Sequence, residues 1–343
     1  MKGRGVSVIF SLTHFVAALA TAFVMSKTAA FYGEPTLLYL VFILSTYCMQ
    51  PVLGILADAV NRNTLMASTG CVFISLSYFL REPLHVAFCC GAGAAAFLVG
   101  SGLDVINTSD RKLSLLSLYL APDVAGLCCG LLLFRQGLSN PLLPSMVLFV
   151  LAVFDLFISS LNRRELRSGN ADLSFESMTD GRTLFCVAAL FVAASLLPML
   201  VIRQAMIIGI GSKALMAGVA LYTTGKLLSG LFSDHLGIKK VALASACFAG
   251  VCSIVSVATH SAGFAYAGVF ASSMLVPIIV WTATRLLAGT KGLALGMVNM
   301  LTGVSVLVIA AGEFTLGVMV MAVFVTVVAV FVTIAVNRTE HAH

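Results

Sequence analysis

The chain has 343 residues, of which 60% are hydrophobic and only 10% are charged, and its mean hydropathy is +1.06. A soluble domain of this length needs more charge to cover its surface, so the composition excludes an ordinary soluble protein. The formal net charge of +6 does not indicate a nucleic-acid partner, because the basic residues lie at the ends of apolar segments.

Apolar runs of about 20 residues recur along the whole chain, and each is long enough to cross a hydrocarbon core of ~30 Å. The first run begins at Val6, and we expect it to be retained as a helix and not cleaved as a signal peptide. The predicted spans are residues 6–28, 35–57, 64–80, 84–107, 112–134, 141–161, 183–203, 208–232, 240–258, 262–284, 291–312 and 314–336. The sequence therefore predicts an all-α membrane protein with twelve transmembrane helices.

The longest polar stretch, residues 162–182, separates six predicted spans from the next six. We interpret it as a linker between an N-terminal half (1–161) and a C-terminal half (183–343), because it is too polar and too short for a further domain.

The Lys and Arg residues predict the orientation of the chain, since basic residues concentrate on the cytoplasmic side. With a cytoplasmic N-terminus, that side carries fourteen of them: Lys2, Arg4, Arg62, Arg111, Lys112, Arg163, Arg164, Arg167, Arg182, Lys239, Lys240, Arg285, Lys291 and Arg338. The other side carries five: Lys27, Arg81, Arg135, Arg203 and Lys213. Both termini are therefore predicted to be cytoplasmic.

Two polar loops form an internal repeat, one after the second span and one after the eighth. Gly54 and Asp58 align with Gly230 and Asp234 at an offset of 176 residues, and basic residues follow both copies. The first copy reads G-x-L-A-D-x-x-x-R, with Asn61 where the second copy has Gly237. The repeat falls at the same place in each half, which indicates an internal duplication.

These loops, the six-plus-six arrangement and the central linker resemble the major facilitator superfamily of transporters. Gly54, Leu56, Ala57, Asp58 and Arg62 match the loop motif of that family, whereas Asn61 departs from it. The resemblance implies two pseudo-symmetric six-helix bundles that transport a solute by alternating access. We expect the gate to be atypical at the first copy, because Asn61 replaces a glycine.

The repeated aspartates are predicted to form a cytoplasmic gate, since a carboxylate at a helix end can bind the positive N-terminus of a neighbouring helix. The predicted gate residues are Gly54, Asp58, Arg62, Asp104, Asn107, Gly230, Asp234, Gly237, Lys239 and Lys240. An ordinary polar turn is the alternative for each loop. For Asp104 and Asn107, the alternative is a salt bridge to Arg111 or Lys112.

Ionisable residues within spans are the candidates for the central cavity, because an isolated charge in the bilayer is costly. Asp123 lies eleven residues beyond Lys112, about 16 Å deep at 1.5 Å per residue, and Lys226 lies eight residues before Asp234. They are predicted either to pair between the halves or to act separately. Without a cationic partner, burial would favour the protonated carboxyl, and Asp123 could carry a proton. His14 and Asn299 complete the predicted cavity set.

The predicted function is secondary active transport of a small solute, coupled to protons. The segment Ala121-Pro122-Asp123-Val124-Ala125-Gly126 partly resembles a motif of the family's antiporters, which favours export. The alternatives are a uniporter, an importer of a polar solute, or a membrane sensor or scaffold that transports nothing. No cofactor, metal site or nucleic-acid partner is expected, and no ATP-binding loop is present in the sequence. We expect a monomer in a bilayer, in a bacterial inner membrane.

Overall fold

The computed structural model describes residues 3–109, 112–137, 142–161, 180–209 and 211–311, which fold into eleven long helices with no strand among them. The helices are α1 (Gly3–Phe31), α2 (Pro35–Val60), α3 (Asn63–Ser77), α4 (Pro83–Thr108), α5 (Leu113–Arg135), α6 (Leu142–Leu161), α7 (Gly181–Ile208), α8 (Ser212–Leu236), α9 (Ile238–Thr259), α10 (Ala262–Leu286) and α11 (Lys291–Ala311). Eight of these helices are long and apolar enough to cross a membrane. The chain is therefore an integral membrane protein.

Each helix corresponds to one predicted span. The predicted twelfth span, 314–336, and most of the predicted linker lie outside the described residues, so twelve helices and cytoplasmic termini stay predictions. The largest shifts are around α7 and α8: α7 continues to Ile208 where the sequence predicted 203, and α8 ends at Leu236 where it predicted 232. Polar residues such as Gln204 and Asp234 end the apolar run but not the hydrogen-bonded helix.

Local sequence explains where several helices begin. Proline lies in the first turn of α2 and α4, where its missing N–H costs no hydrogen bond. The Asp180 side chain caps α7 by accepting hydrogen bonds from the amides of Arg182 and Thr183. The hydrogen bond from the Thr183 hydroxyl, more than any other contact, lowers the pKa of this exposed carboxyl.

The same helix pairings recur in the first six helices and in the next five. Helix α1 packs on α5 as α7 packs on α11, and α3 packs on α4 as α9 packs on α10. The two groups, called here the N-terminal and C-terminal halves, meet mainly along two seams, α2 against α11 and α5 against α8. Because the offset of the sequence repeat relates α2 to α8, the two seams are equivalent by pseudo-symmetry.

Large apolar side chains cover the outside of the bundle, as expected for a surface that faces lipid. Val52 on α2, Phe79 in the turn after α3 and Val150 on α6 are each at least 65% exposed. The interior holds a continuous apolar cluster drawn from both halves, with Phe97, Tyr119 and Leu38 among its largest fully buried side chains.

Candidate functional site

A cavity of about 420 Å³ lies between the halves. Its walls come from α1, α2, α4 and α5 on one side and from α7, α8, α10 and α11 on the other. It reaches Ala214 near the start of α8, whereas Asp234 lies near the end of that helix, about 30 Å away at 1.5 Å per residue. We call the end of the bundle that carries Asp58 and Asp234 the latch face, and the cavity extends toward the opposite face.

An ion pair crosses the α5–α8 seam at the cavity. The Lys226 Nζ lies 2.6 Å from Asp123 Oδ2 and also donates to the carbonyl oxygen of Leu120 at 3.0 Å. The Lys226 ammonium lies 4.7 Å from the centroid of the Tyr222 ring, a cation–π distance. The side chain of Lys226 is 2% exposed and that of Asp123 is 29% exposed. The ion pair predicted as one alternative from the sequence is thus present, and Asp123 is its more exposed member.

His14 lies on the cavity wall but is itself buried. Its Nδ1 is 2.9 Å from the carbonyl oxygen of Tyr119, and because a carbonyl can only accept, Nδ1 carries the proton. The imidazole packs between the rings of Tyr119 and Phe97. The Tyr119 hydroxyl lies 2.7 Å from Ser101 Oγ, which fixes this cluster to α4. His14 therefore combines the two roles that the sequence left open, a packed core residue and a cavity residue.

Asn299 takes part in a second polar contact between the halves, on the α2–α11 seam. Its Nδ2 donates to Gln50 Oε1 at 2.7 Å, and the Gln50 Nε2 donates to the carbonyl oxygen of Thr46 at 3.0 Å. Gln50 lies eight residues before Asp58, as Lys226 lies eight residues before Asp234. Gln50 and Lys226 are thus equivalent positions of the repeat, and each contacts the opposite half. Gln50 forms a neutral pair with Asn299, and Lys226 forms an ion pair with Asp123.

Both repeated aspartates bind the N-terminus of a helix in the opposite half. Asp58 accepts from the amides of Gly292 and Leu293 at 2.8 and 3.1 Å. Asp234 accepts from the amides of Leu113 and Ser114 at 2.9 and 3.2 Å. We call these two contacts the latches. The first amides of a helix have no partner within that helix, so each carboxylate satisfies two of them and lies at the positive end of the helix dipole.

The glycines of the repeat allow the helices to come this close. A Cβ atom on Gly54 would overlap the carbonyl oxygen of Gly292, and one on Gly230 would overlap the backbone of Ser114. Each glycine lies one helical turn before its aspartate, on the same face. Close backbone contact and carboxylate capture are therefore two parts of one latch.

Asn61 does not make the first latch atypical, contrary to expectation. It ends α2 in the left-handed region, at φ 51° and ψ 46°, which asparagine tolerates. Gly237 ends α8 at φ 90° and ψ 138°, a conformation that glycine adopts far more readily than other residues. Both conformations end the helix just after the aspartate, so both copies bind two amides.

The remaining predicted gate residues have different surroundings. Lys291 Nζ donates to Asn107 Oδ1 at 3.0 Å, which adds a contact between α4 and α11 at the latch face. Asp104 is fully buried and accepts a hydrogen bond from the hydroxyl of Thr64 on α3. This bond lies within the N-terminal half and joins Asp104 to α3, and a role of Asp104 in the cytoplasmic gate stays a prediction.

The basic residues of the repeat lie on the latch face near the start of α3 and α9. Arg62 and Lys240 are exposed, and Lys239 is half-buried. Their roles in gating stay predictions. Arg111, one of the suggested partners of Asp104, lies outside the described residues.

Asp155 on α6 is a buried carboxylate away from the cavity. Its Oδ1 lies 3.4 Å from the Thr13 hydroxyl on α1, a contact within the N-terminal half. Among the described residues, no group of three or more His, Cys, Asp or Glu side chains could hold a metal ion.

Three cavity or seam residues escaped the sequence-based prediction. Gln50 could have been found by applying the 176-residue offset to Lys226, and Tyr222 by noting that it precedes Lys226 by one helical turn. Tyr47 gave no such signal, because it lies in a π-helical turn, Leu44–Cys48, that changes the register of α2. Such turns are common at functional sites.

Comparisons with known proteins identify the fold. Neither a protein-family model nor a curated protein matches the sequence. Among solved structures, the chain is similar to FucP, described as a major facilitator superfamily transporter in the outward conformation, with a TM-score of 0.70 and 14% identity. It is also similar to a variant of the Escherichia coli fucose:proton symporter FucP, with a TM-score of 0.67 and 13% identity. Each match covers 96% of this chain and 97% of the other chain.

Proposed function

From the major facilitator fold and the cavity at its centre, we propose that the chain is a secondary transporter that moves a small solute by alternating access. One observation carries this proposal: the central cavity extends toward one face while two pseudo-symmetric latches close the other. A pair of bundles that rock about a central site needs such reversible contacts at each end.

The strength of the latches suits a reversible gate. A carboxylate at a helix N-terminus contributes about 0.3–1 kcal/mol when exposed and up to ~2 kcal/mol when partly buried. Two such contacts hold one conformation by a few kcal/mol, which a bound ligand or proton can overcome through its own preference for the other state.

We propose that proton binding at Asp123 couples the gradient to this motion. The titratable groups around the carboxylate are Lys226, His14, Tyr47 and Tyr222, all on the cavity wall. A proton on Asp123 removes its charge and weakens the bond to Lys226, which is part of the α5–α8 seam. The seam can then open at the latch face. FucP, a structural neighbour, is named as a fucose:proton symporter.

The excess of basic residues favours a cytoplasmic latch face, in a bacterial inner membrane, with the cavity open to the outside. We propose the two halves 1–161 and 183–343 as the moving units, joined by the linker 162–182, in a monomer. Export is the proposed direction, supported by the partial antiporter motif around Pro122 and Asp123.

The experiment is transport in proteoliposomes, with solutes first selected by their ability to stabilise the purified protein, since a ligand of the folded state raises its stability. An imposed pH gradient is expected to drive accumulation by the wild type, and Asp123→Asn is expected to abolish this driving force. Asp155→Asn is the matched control, because it changes a buried carboxylate away from the cavity to an amide.

Three results would contradict parts of the proposal. Undiminished proton coupling in Asp123→Asn would exclude this residue as the proton site. Counterflow of a solute that never responds to pH would indicate a uniporter. Binding without any flux, for every solute class, would indicate a sensor or scaffold.

A further inference from the structure

The two members of the ion pair differ in their access to the cavity: the Asp123 side chain is 29% exposed, whereas that of Lys226 is almost fully buried. Three contacts surround the Lys226 ammonium: the Asp123 carboxylate, the Leu120 carbonyl oxygen and the Tyr222 ring. An ammonium has three N–H donors, so these contacts use its capacity. With 2% of the side chain exposed, Lys226 offers a ligand little access.

Asp123 has acceptor capacity left. A carboxylate has about four lone-pair sites. The contacts described for Asp123 take two of them, one from Lys226 to Oδ2 and one from the amide of Val124 to Oδ1 at 2.6 Å. Its side chain is 29% exposed and lines the cavity. A ligand that donates hydrogen bonds and carries positive charge is therefore the one that this group can bind.

Aromatic rings lie around the same carboxylate. Tyr222 and Tyr47, both half-buried on the cavity wall, are within electrostatic range of Asp123. The negative faces of tyrosine rings attract a cation, as the contact of Lys226 with Tyr222 already shows. The polar end of the cavity thus combines a carboxylate with aromatic rings.

Most of the rest of the cavity wall is aliphatic, and Asn299 and Thr302 on α11 are polar side chains that also line it. On α7 it is formed by residues such as Leu197, Val201 and Ile202, and on α10 by Val276, Ile279 and Val280. These side chains offer no hydrogen bonds, so a polyhydroxylated solute would leave several hydroxyls without partners, which costs free energy. An apolar body, by contrast, gains from burial there. The volume of about 420 Å³ lies in the lower part of the ~300–1,000 Å³ range of small-molecule pockets.

We infer that the substrate is a small amphipathic amine, whose protonated nitrogen binds Asp123 between the tyrosine rings and whose apolar body lies against α7 and α10. This inference rests on the proposed function, since it names the solute class for the same cavity. It sets the chain apart from its structural neighbour FucP, which is named for a sugar.

A matched ligand series tests the inference. Phenylbutylamine, phenylbutanol and phenylbutyrate share one apolar body and differ in the charge of the polar group, and fucose represents a polyol. Binding to the purified wild-type protein is measured by calorimetry at one pH. The amine is expected to bind about 10- to 100-fold more tightly than the alcohol, the usual gain for a hydrogen bond to a charged group.

Variants separate the site from general hydrophobic binding. Asp123→Asn is expected to reduce the amine preference to that of the alcohol, whereas Asp155→Asn is expected to leave it unchanged. Because Asp123→Asn leaves Lys226 buried without its carboxylate, the double variant Asp123→Asn/Lys226→Met provides a folded alternative with both charges removed. It is also expected to lose the preference.

Tighter binding of the alcohol, the carboxylate or fucose would overturn the inference, as would an amine preference that survives in both Asp123 variants. The proposed function fails separately. An amine that binds through Asp123 but is never transported would contradict the proposed transport and support the ligand class. Transport of fucose driven by pH, without binding of the amine, would support the proposed transport and contradict the ligand class.

Discussion

At the scale of single residues, the members of the central ion pair are not equivalent. The side chain of Lys226 is almost fully enclosed by protein, whereas that of Asp123 is 29% exposed and lines the cavity, where water can reach it. Removing one partner of a buried pair is costly mainly because it leaves the other charge unpaired. The cost should therefore depend on which charge remains.

We predict that Asp123→Asn lowers the free energy of unfolding more than Lys226→Met does. Asparagine leaves the enclosed ammonium without an anion, at a cost of roughly 3 kcal/mol. Methionine leaves a carboxylate that water in the cavity can reach, so its cost is smaller. Thermal unfolding of the two variants in the same detergent checks this order. A larger loss for Lys226→Met would mean that Asp123 is the enclosed member.

The sequence predicted Asp123, Lys226, His14 and Asn299 because polar residues are conspicuous in apolar spans. It could not predict what each one contacts. The partner of Asn299 is Gln50, a residue close to the polar end of a span, and the partner of His14 is a backbone carbonyl. Backbone acceptors leave no mark in the sequence, and cross-helix contacts depend on the rotation of both helices.

At the scale of helices, the repeat defines where the halves meet. The latches pair the end of α2 with the start of α11, and the end of α8 with the start of α5. In each latch, the carboxylate accepts hydrogen bonds from two amides at the start of the neighbouring helix. The glycine one turn before each aspartate allows the two helix backbones to come this close. With the halves moving as rigid bundles, as proposed above, we expect a gate built from two equivalent latches to open at both together.

We predict that Asp58→Asn increases amide hydrogen exchange at the starts of both α11 and α5. The loss of a charge at a partly buried helix N-terminus, worth up to ~2 kcal/mol, corresponds to exchange that is faster by up to roughly 30-fold. Asp234→Asn should give the same two-site response, and Asp155→Asn neither. Faster exchange only at the helix next to each substitution would indicate local fraying and two independent contacts.

Helix limits were predictable to within about five residues, since apolar runs mark the membrane and polar residues mark its edges. The exceptions have physical reasons. Polar residues interrupt the apolar runs near the ends of α7 and α8, at Gln204 and Asp234, and both helices continue past them. The π-helical turn of α2 depends on packing against α11, where Tyr47 meets Gly303, and no local sequence pattern indicates it.

At the scale of the whole molecule, most of the architecture that could be predicted follows from the 176-residue offset of the repeat. It related α2 to α8, and the structure extends this relation to Gln50 and Lys226 as well as to the latches. The shape of the cavity and the face that it approaches could not be predicted, because they depend on which ends of the bundle are closed. That is a property of the conformation and not of the composition.

Alternating access requires that the two faces open in opposition, and distances across both faces test this most directly. Spin-labelled unnatural residues at the exposed positions Arg62 and His235 report on the latch face, and those at Phe31 and Lys213 report on the opposite face. In the double variant Asp58→Asn/Asp234→Asn, we predict a longer distance at the latch face together with a shorter distance at the opposite face. A latch-face distance that lengthens while the opposite face stays unchanged would contradict alternating access.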